Sequence, residues 1–351
     1  MKNKVLVVFR AYHRGGLSGG PINSINQLVS ANDGFVENAI YYLFTERFFE
    51  FESPFNKDKI FYGSLNKALR STDFHSIYFN SFFDPLLLFF LVRRILNKAD
   101  TKVYISPRGE LMSGAIANKA IIKKTYIKLF SLIAKNDTKI NFVFTNSFER
   151  EEAVSFLKYP LNYIYLNNKP RIRSIYPYRK LYSDKSKVLK IIWFSRITPK
   201  KNLEFVFEVL KNCRRRIIID VIGSCDEPIY MDELRTLAMQ TPVNLTVSFL
   251  GYKDFSEIEI LINNYDLFFF ATRGENYGHA VVESMLFGIP CLISNSTPWQ
   301  NLSDNGLGWN FSLSKKEKFI DIIENFEFRW NSINDEKKRK EFIKRYVLDE
   351  K

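Results

Sequence analysis

Along this chain, short runs of β-branched and aromatic residues alternate with longer stretches whose apolar positions recur every three to four residues. Strands buried on both faces and separated by amphipathic helices build a parallel sheet with helices on each side, so the pattern predicts an α/β fold. In the first half it predicts strands over 4–9, 38–43, 76–79, 102–105 and 141–145, with helices between them. Around 167–187 the periodicity gives way to Asn, Pro and basic residues, among them Lys169, Pro170, Arg171 and Arg173, a composition that reads as a linker. A second series follows, with strands over 190–194, 217–223, 246–250, 266–270 and 290–294 and helices from Leu203, from Tyr230, near Ile258 and from Ala280. The expectation is two doubly wound domains in tandem, 1–168 and 189–313, joined by a linker over 169–188. A tail over 314–351, helical by composition and rich in both charge signs, is expected to lie outside the two cores.

The length of 351 residues leaves room for two such domains, and 46% hydrophobic against 25% charged residues excludes wholesale disorder. A net charge of +13 favours an anionic partner, whether nucleotide phosphate, acidic lipid or nucleic acid. Cys213, Cys225 and Cys291 form no CxxC pair, so neither a disulfide framework nor a zinc knuckle is expected, and a reducing cytoplasm fits. The apolar stretch from Val5 to Phe9 is too short for a secretion signal and reads as a first buried strand. The greasiest run, Phe82 to Val92, is interrupted by Asp84 and Pro85 and falls short of the ~20 residues that span a bilayer, so no transmembrane helix is predicted.

Open α/β sheets bind ligands at the carboxyl ends of their strands, which directs attention to three strand-end segments and, with two sheets, to a cleft between domains. The first is Arg14-Gly15-Gly16-Leu17-Ser18-Gly19-Gly20-Pro21, between the first strand and a helix. Glycines admit a ligand close to the backbone and a helix amino end attracts anions, so Gly19 and Gly20 could seat a phosphate or could simply form a turn. Its spacing is not the GxGxxG of dinucleotide binders. The second segment, Ser195 to Leu203, carries Arg196 and Lys201 into a helix, where two cations could clamp a diphosphate or be solvated at the surface.

The third segment, Thr272 to Pro290, is the most informative. Glu275 and Gly278 sit at a strand-to-helix turn, while Glu283, eight residues beyond Glu275, lies among Val281, Val282, Met285 and Leu286. A carboxylate in such a stretch either meets hydroxyl donors or occupies the polar stripe of the helix, because burying it unpaired is costly.

The Glu275/Glu283 spacing, followed by Gly288 and Pro290 and preceded by the Arg196/Lys201 pair, resembles glycosyltransferase family 4, retaining enzymes of the GT-B fold that use nucleotide-sugar donors. Gly19-Gly20-Pro21, Ser106-Pro107-Arg108-Gly109-Glu110-Leu111, and Val247 to Gly251 with Asp266 also resemble that family. Thr297 to Leu302 and Gly306 to Trp309 are similar to members that build bacterial surface polysaccharides. The resemblance implies that Arg196 and Lys201 hold the donor diphosphate and neutralise the charge of the leaving nucleotide in place of a metal ion, with no other cofactor. It implies that Glu283 binds the ribose hydroxyls, and that Glu275, with the backbone of Asn276, Tyr277 and Gly278, binds the donor sugar or steadies its oxocarbenium-like transition state. Gly19 and Gly20 would approach the donor phosphate.

The sequence also departs from the family. Where many members carry a His after the strand ending Ile77-Tyr78-Phe79, this chain has Asn80-Ser81, and Arg108 stands where some relatives have His. Asn80 and Arg108 are therefore candidate acceptor-side residues, with Arg108 suited to an anionic group. Residues 115–139 carry Lys119, Lys123, Lys124, Lys128, Lys135 and Lys139 among apolar positions, the composition of a helix that lies on anionic lipid or of an ordinary helix with solvated lysines. No nucleic-acid-binding motif is present. The sequence thus reads as a glycosyltransferase of surface polysaccharide synthesis acting on a glycan, free or lipid-linked. A GT-B sugar-nucleotide epimerase and a non-catalytic nucleotide- or glycan-binding protein are the alternatives.

Overall fold

The computed structural model describes residues 2–12, 20–30, 36–49, 53–112, 115–116, 120–166, 170, 174–177 and 188–348. The chain divides into two compact units, Met1–Asn168 and Lys169–Lys351. Most of the predicted linker, and Gly19 with the glycine-rich loop before it, lie outside the described residues.

The first unit holds a seven-stranded parallel sheet of β1 (Asn3–Val8), β2 (Ala39–Thr45), β3 (Ile60–Tyr62), β4 (Ser76–Phe79), β5 (Lys102–Ile105), β6 (Ile140–Phe144) and β7 (Tyr163–Tyr165). Their spatial order is β3-β2-β1-β4-β5-β6-β7. Its helices are α1 (Gly20–Ser30), α2 (Leu65–Ser71), α3 (Pro85–Leu96), α4 (Ala120–Ala134) and α5 (Ser147–Leu157). The alternation of side chains along β1 explains why it is apolar from Val5 to Val8. Leu6 and Val8 enter one core with Leu87, Phe90, Ile127 and Phe130 of α3 and α4, while Val5 and Val7 enter another with Ile22, Ile25 and Leu28 of α1. Asp84 and Pro85, which break the greasy run in the sequence, begin α3: the Asp84 side chain accepts from Leu86 N and Pro85 occupies the first turn.

The second unit repeats the plan with six parallel strands, β8 (Leu189–Phe194), β9 (Ile217–Ile222), β10 (Leu245–Gly251), β11 (Leu267–Phe270), β12 (Cys291–Ser294) and β13 (Gly308–Phe311), in the order β10-β9-β8-β11-β12-β13. Its helices are α6 (Leu203–Lys211), α7 (Pro228–Met239), α8 (Phe255–Leu261), α9 (His279–Leu286), α10 (Lys316–Glu324), α11 (Phe326–Ile333) and α12 (Glu336–Phe342).

Two expectations require correction. The sequence pattern predicts no strand at β3, β7 or β13, and all three are edge strands of three or four residues. An edge strand is bonded on one side only and needs no long apolar run, so its signal is weak. The tail does not lie outside the cores: Phe319, Ile322, Ile323, Phe326, Trp330, Ile343 and Val347 belong to the apolar core of the second unit. The charges that suggested a detached tail occupy the outward faces of helices whose inward faces are buried.

In each sheet the strand order reverses beside the first strand, between β1 and β4 and between β8 and β11. At such a switch point the following loops diverge and leave a crevice, so ligands bind at the carboxyl ends of those strands.

Candidate active site

The switch point of the second sheet carries the sequence-predicted cations and carboxylates. After β8 the chain passes exposed Arg196, ties Ile197 N to Ser224 O at 2.8 Å, and makes a 3-10 turn at Pro199–Lys201 before α6. After β11 comes Thr272, whose hydroxyl donates 3.1 Å to Lys200 O and 3.2 Å to a carboxylate oxygen of Glu275. The two loops are cross-tied by Asn202 Nδ2 donating to Ala271 O at 2.9 Å and by Arg273 N donating to Lys200 O at 2.9 Å. Held in this way, Lys201 Nζ forms an ion pair with Glu275 Oε1, both side chains mostly buried, and also lies 5.5 Å from the centre of the Phe270 ring. The result is an ammonium and a carboxylate at one point above the strand ends. Such a pair can meet a phosphate and a sugar hydroxyl together.

Close backbone approach is built into this corner. A Cβ on Gly223, at the end of β9, would stand 1.8 Å from Ser195 O, so only glycine lets the β9 loop lie against the Arg196 loop. The turn from Glu275 to α9 ends on Gly278 at φ 78°, the left-handed region that glycine adopts without strain. Trp299 Nε1 donates to Tyr277 O and fixes the turn from outside.

Helix α9 buries nearly every side chain after its first turn, including Glu283 at 4% exposure. This resolves one of the two readings of Glu283: it is not on a solvated stripe. Beside it, burial raises the hydroxyl pKa of Tyr277, and the Glu283 carboxylate raises it further. The far end of α9 is anchored by Arg339, 1% exposed, which donates to Met285 O at 3.0 Å and to Tyr176 O. Arg339, which no sequence motif marks, thereby connects the tail to the helix that carries Glu283. Cations near the last carbonyls of a helix complement its dipole.

In the first unit, Asn80 directly follows β4 at the switch point, and the structure brings it together with Arg108. Arg108 Nε donates to Asn80 Oδ1 at 2.9 Å, and its Nη2 donates to the Tyr78 hydroxyl at 2.8 Å. Asn80 is 2% exposed, and its Nδ2 has no hydrogen-bond partner among the described residues. Arg108 itself has φ 51°, an unusual backbone for a side chain of this size. Two carboxylates hold the loop in place, Glu149 buried and Glu110 half-buried. Glu149 accepts from Gly109 N at 2.6 Å and from Thr145 N and Oγ1 at 2.9 and 2.8 Å. Glu110 accepts from Ser81 Oγ at 2.8 Å, from Phe82 N at 2.6 Å and from Phe83 N at 3.1 Å. Burial raises the pKa of Glu110 despite these donors. Neither carboxylate was picked out in the sequence as a support, and a short-range acid pattern offers no such signal, because their partners lie up to 40 residues away.

Gly20 opens α1, and Asn276 lies within the Glu275 turn. Among the described residues no group of three or more His, Cys, Asp or Glu is arranged to hold a metal ion.

Residues 178–345, nearly all of the second unit, match the family described as Glycosyl transferases group 1. A Klebsiella pneumoniae protein described as an uncharacterized 41.2 kDa protein in the cps region is 21% identical over 276 residues, spanning 76% of this chain and 73% of its own. The structure is similar to that of Anabaena HepE in complex with UDP-glucose (TM-score 0.70, 16% identity, 98% of this chain and 95% of that one). It is also similar to the lipopolysaccharide outer core galactosyltransferase WaaB (TM-score 0.60, 13% identity, 99% and 100%). Two parallel sheets with the switch-point loops described above define the GT-B class of fold. Within it, residues 178–345 place the second unit among the group 1 glycosyltransferases of family 4, enzymes that move a sugar from a nucleotide-sugar donor.

Proposed function

We propose that this enzyme is a retaining, metal-independent glycosyltransferase that passes a sugar from a nucleoside diphosphate sugar to a glycan acceptor in surface polysaccharide synthesis. The observation that carries this reading is the Lys201–Glu275 pair at the carboxyl ends of the second sheet, with Arg196 exposed in the same loop. When the bond from the sugar C1 to the diphosphate breaks, charge accumulates on the departing phosphate, and an acceptor hydroxyl takes its place at C1. Lys201, held by Glu275, and Arg196, exposed in the same loop, supply the cations for that charge, the task a metal ion performs elsewhere. Glu275 orients the Lys201 ammonium and takes the donor sugar's hydroxyls, helped by the backbone of Asn276, Tyr277 and Gly278. Glu283, buried along α9, takes the ribose hydroxyls, a role that rewards a carboxylate in an apolar wall because a hydroxyl pair satisfies it.

Asn80 and Arg108 stand on the acceptor side. The Asn80 Nδ2 donor and the Arg108 guanidinium suit an acceptor bearing phosphate or carboxylate, such as a glycan on a lipid diphosphate at the inner face of the cytoplasmic membrane. The relative in a cps region and the HepE complex with UDP-glucose support a capsule-type pathway and a nucleoside diphosphate donor.

A nucleotide-sugar panel in a thermal-shift assay tests the donor, since a ligand present at about a hundred times its Kd stabilises the folded state by about 2.7 kcal/mol. A true donor then transfers label to a lipid-linked acceptor. If no nucleoside diphosphate sugar raises the melting temperature, the reading is wrong. If a donor is epimerised with no acceptor present, the enzyme is an epimerase instead.

A further inference from the structure

Helix α3 reads PLLLFFLVRRIL, apolar around its whole circumference except for Arg93 and Arg94 near its end. Its inner side, Leu87, Phe90 and Leu91, lies in the core against the sheet. Its outer side is apolar as well: Phe89, Val92 and Leu96 follow one another at helical spacing in solvent, with Ile95 beside them, Leu96 being 76% exposed. Helix α4 lies alongside on the same face of the sheet, with Ile127, Phe130 and Ala134 inward. Outward it presents Ile121, Ile122, Leu129 and Leu132, the first 83% exposed. Water-facing helices normally carry polar residues on that side, and side-by-side helices that both break the rule mark an interaction surface.

The charges beside this surface select its partner. Lys124 and Lys128 on α4 and Lys135 just beyond its end are exposed beside the Leu129 row, and neither helix contains an Asp or Glu. A second copy of the chain docked through this face would bring two such lysine rows together. An apolar surface edged with lysines whose long stems reach outward fits a bilayer carrying negative head groups. Exposed apolar residues elsewhere lack this arrangement: Ile229 and Met239 stand at opposite ends of α7 with Asp232, Glu233 and Arg235 between them.

We propose that the outer side of α3 and α4 seats the enzyme on an anionic lipid surface, with Phe89, Leu96, Ile121 and Leu129 entering the acyl boundary and the α4 lysines meeting the head groups. The inference bears on the lipid-linked acceptor suggested above. Its test uses neither donor nor acceptor, so the two fail separately.

The full chain is sedimented with vesicles of phosphatidylcholine, with and without phosphatidylglycerol. Wild type is expected to pellet with the anionic vesicles, to release at high salt, and to bind neutral vesicles far more weakly. Lys124→Gln, Lys128→Gln and Lys135→Gln combined should lower the partition coefficient on the order of a hundredfold. Leu96→Glu with Leu129→Glu should also abolish pelleting, while Ile229→Glu on the second unit binds like wild type. Circular dichroism establishes that each variant is folded, and the lysine triple decides if the glutamate double is not. Equal binding to both vesicle types, or a lysine triple that binds like wild type, overturns the proposal. So does a dimer in sedimentation velocity that Leu96→Glu with Leu129→Glu disperses, in the absence of vesicle binding.

Discussion

Lys201 and Glu275 lie 74 positions apart in the chain and form an ion pair above the ends of β8 and β11, with Thr272 bonded to the same carboxylate. Neighbouring Arg196 is exposed. The two cations therefore differ in what they do for the fold, although both are assigned to the donor diphosphate.

Removing Lys201 strands a Glu275 side chain only 10% exposed, whereas exposed Arg196 has no ion-pair partner to strand among the described residues. Lys201→Ala is expected to cost about 3 kcal/mol of stability and Arg196→Ala close to none. Each should lower kcat/KM by at least about a hundredfold, the usual loss when a fixed charge at a developing anion is deleted. Melting curves and initial rates check both. Wild-type transfer by either variant would remove that residue from the site.

Glu283→Gln keeps the shape of the α9 wall and removes the charge that accepts from ribose. Nucleotide binding should weaken by about 1.5–3 kcal/mol, roughly ten- to a hundredfold in Kd. Calorimetric titration with a nucleoside diphosphate reads this directly. Because the same change relieves Tyr277 of a neighbouring carboxylate, the tyrosine hydroxyl should titrate at lower pH in the variant. Unchanged affinity would separate Glu283 from the nucleotide.

Much of this was legible because the interior strands β1, β4, β5, β8, β9 and β11 are largely buried and mostly apolar. Their helices show the 3.6-residue period, and Glu275, Gly278 and Glu283 sit within one short segment. What escaped notice depends on distant partners or weak local signals. Edge strands β3, β7 and β13 have little to bury. The tail's inward residues were outnumbered by its surface charges, and Arg339 finds Met285 O and Tyr176 O 54 and 163 positions away. Glu110 and Glu149 accept from backbone amides 28 and 40 positions away, which no local pattern announces.

Gly223 makes a backbone prediction about the same corner. Gly223→Ala places a methyl group 1.8 Å from Ser195 O, so the β9 loop must move away from the Arg196 loop. The expected outcome is a folded protein of lower melting temperature whose transfer rate falls further than its stability loss explains, because Arg196 shifts with Ser195. A variant with normal rates and a normal melting temperature would contradict the tight approach.

Glu110 supplies a pH dependence with a definite sign. Its folded-state pKa is raised by burial, so protonation is favoured in the folded state, and its contribution to stability is fullest below the ordinary glutamate value. That contribution is lost as pH rises through the raised value. Glu110→Gln cannot titrate, so the stability difference, wild type minus variant, should shrink as pH increases from about 4 toward neutrality. All four tryptophans lie in the second unit, so tryptophan fluorescence would report that unit alone. Hydrogen exchange at the Phe82 and Phe83 amides, which donate to this carboxylate, reads the loop itself once corrected for intrinsic exchange rates. If the difference in protection grows with pH instead, the burial of Glu110 does not dominate its titration, and the Arg108 loop is held by the charged carboxylate rather than in spite of its cost.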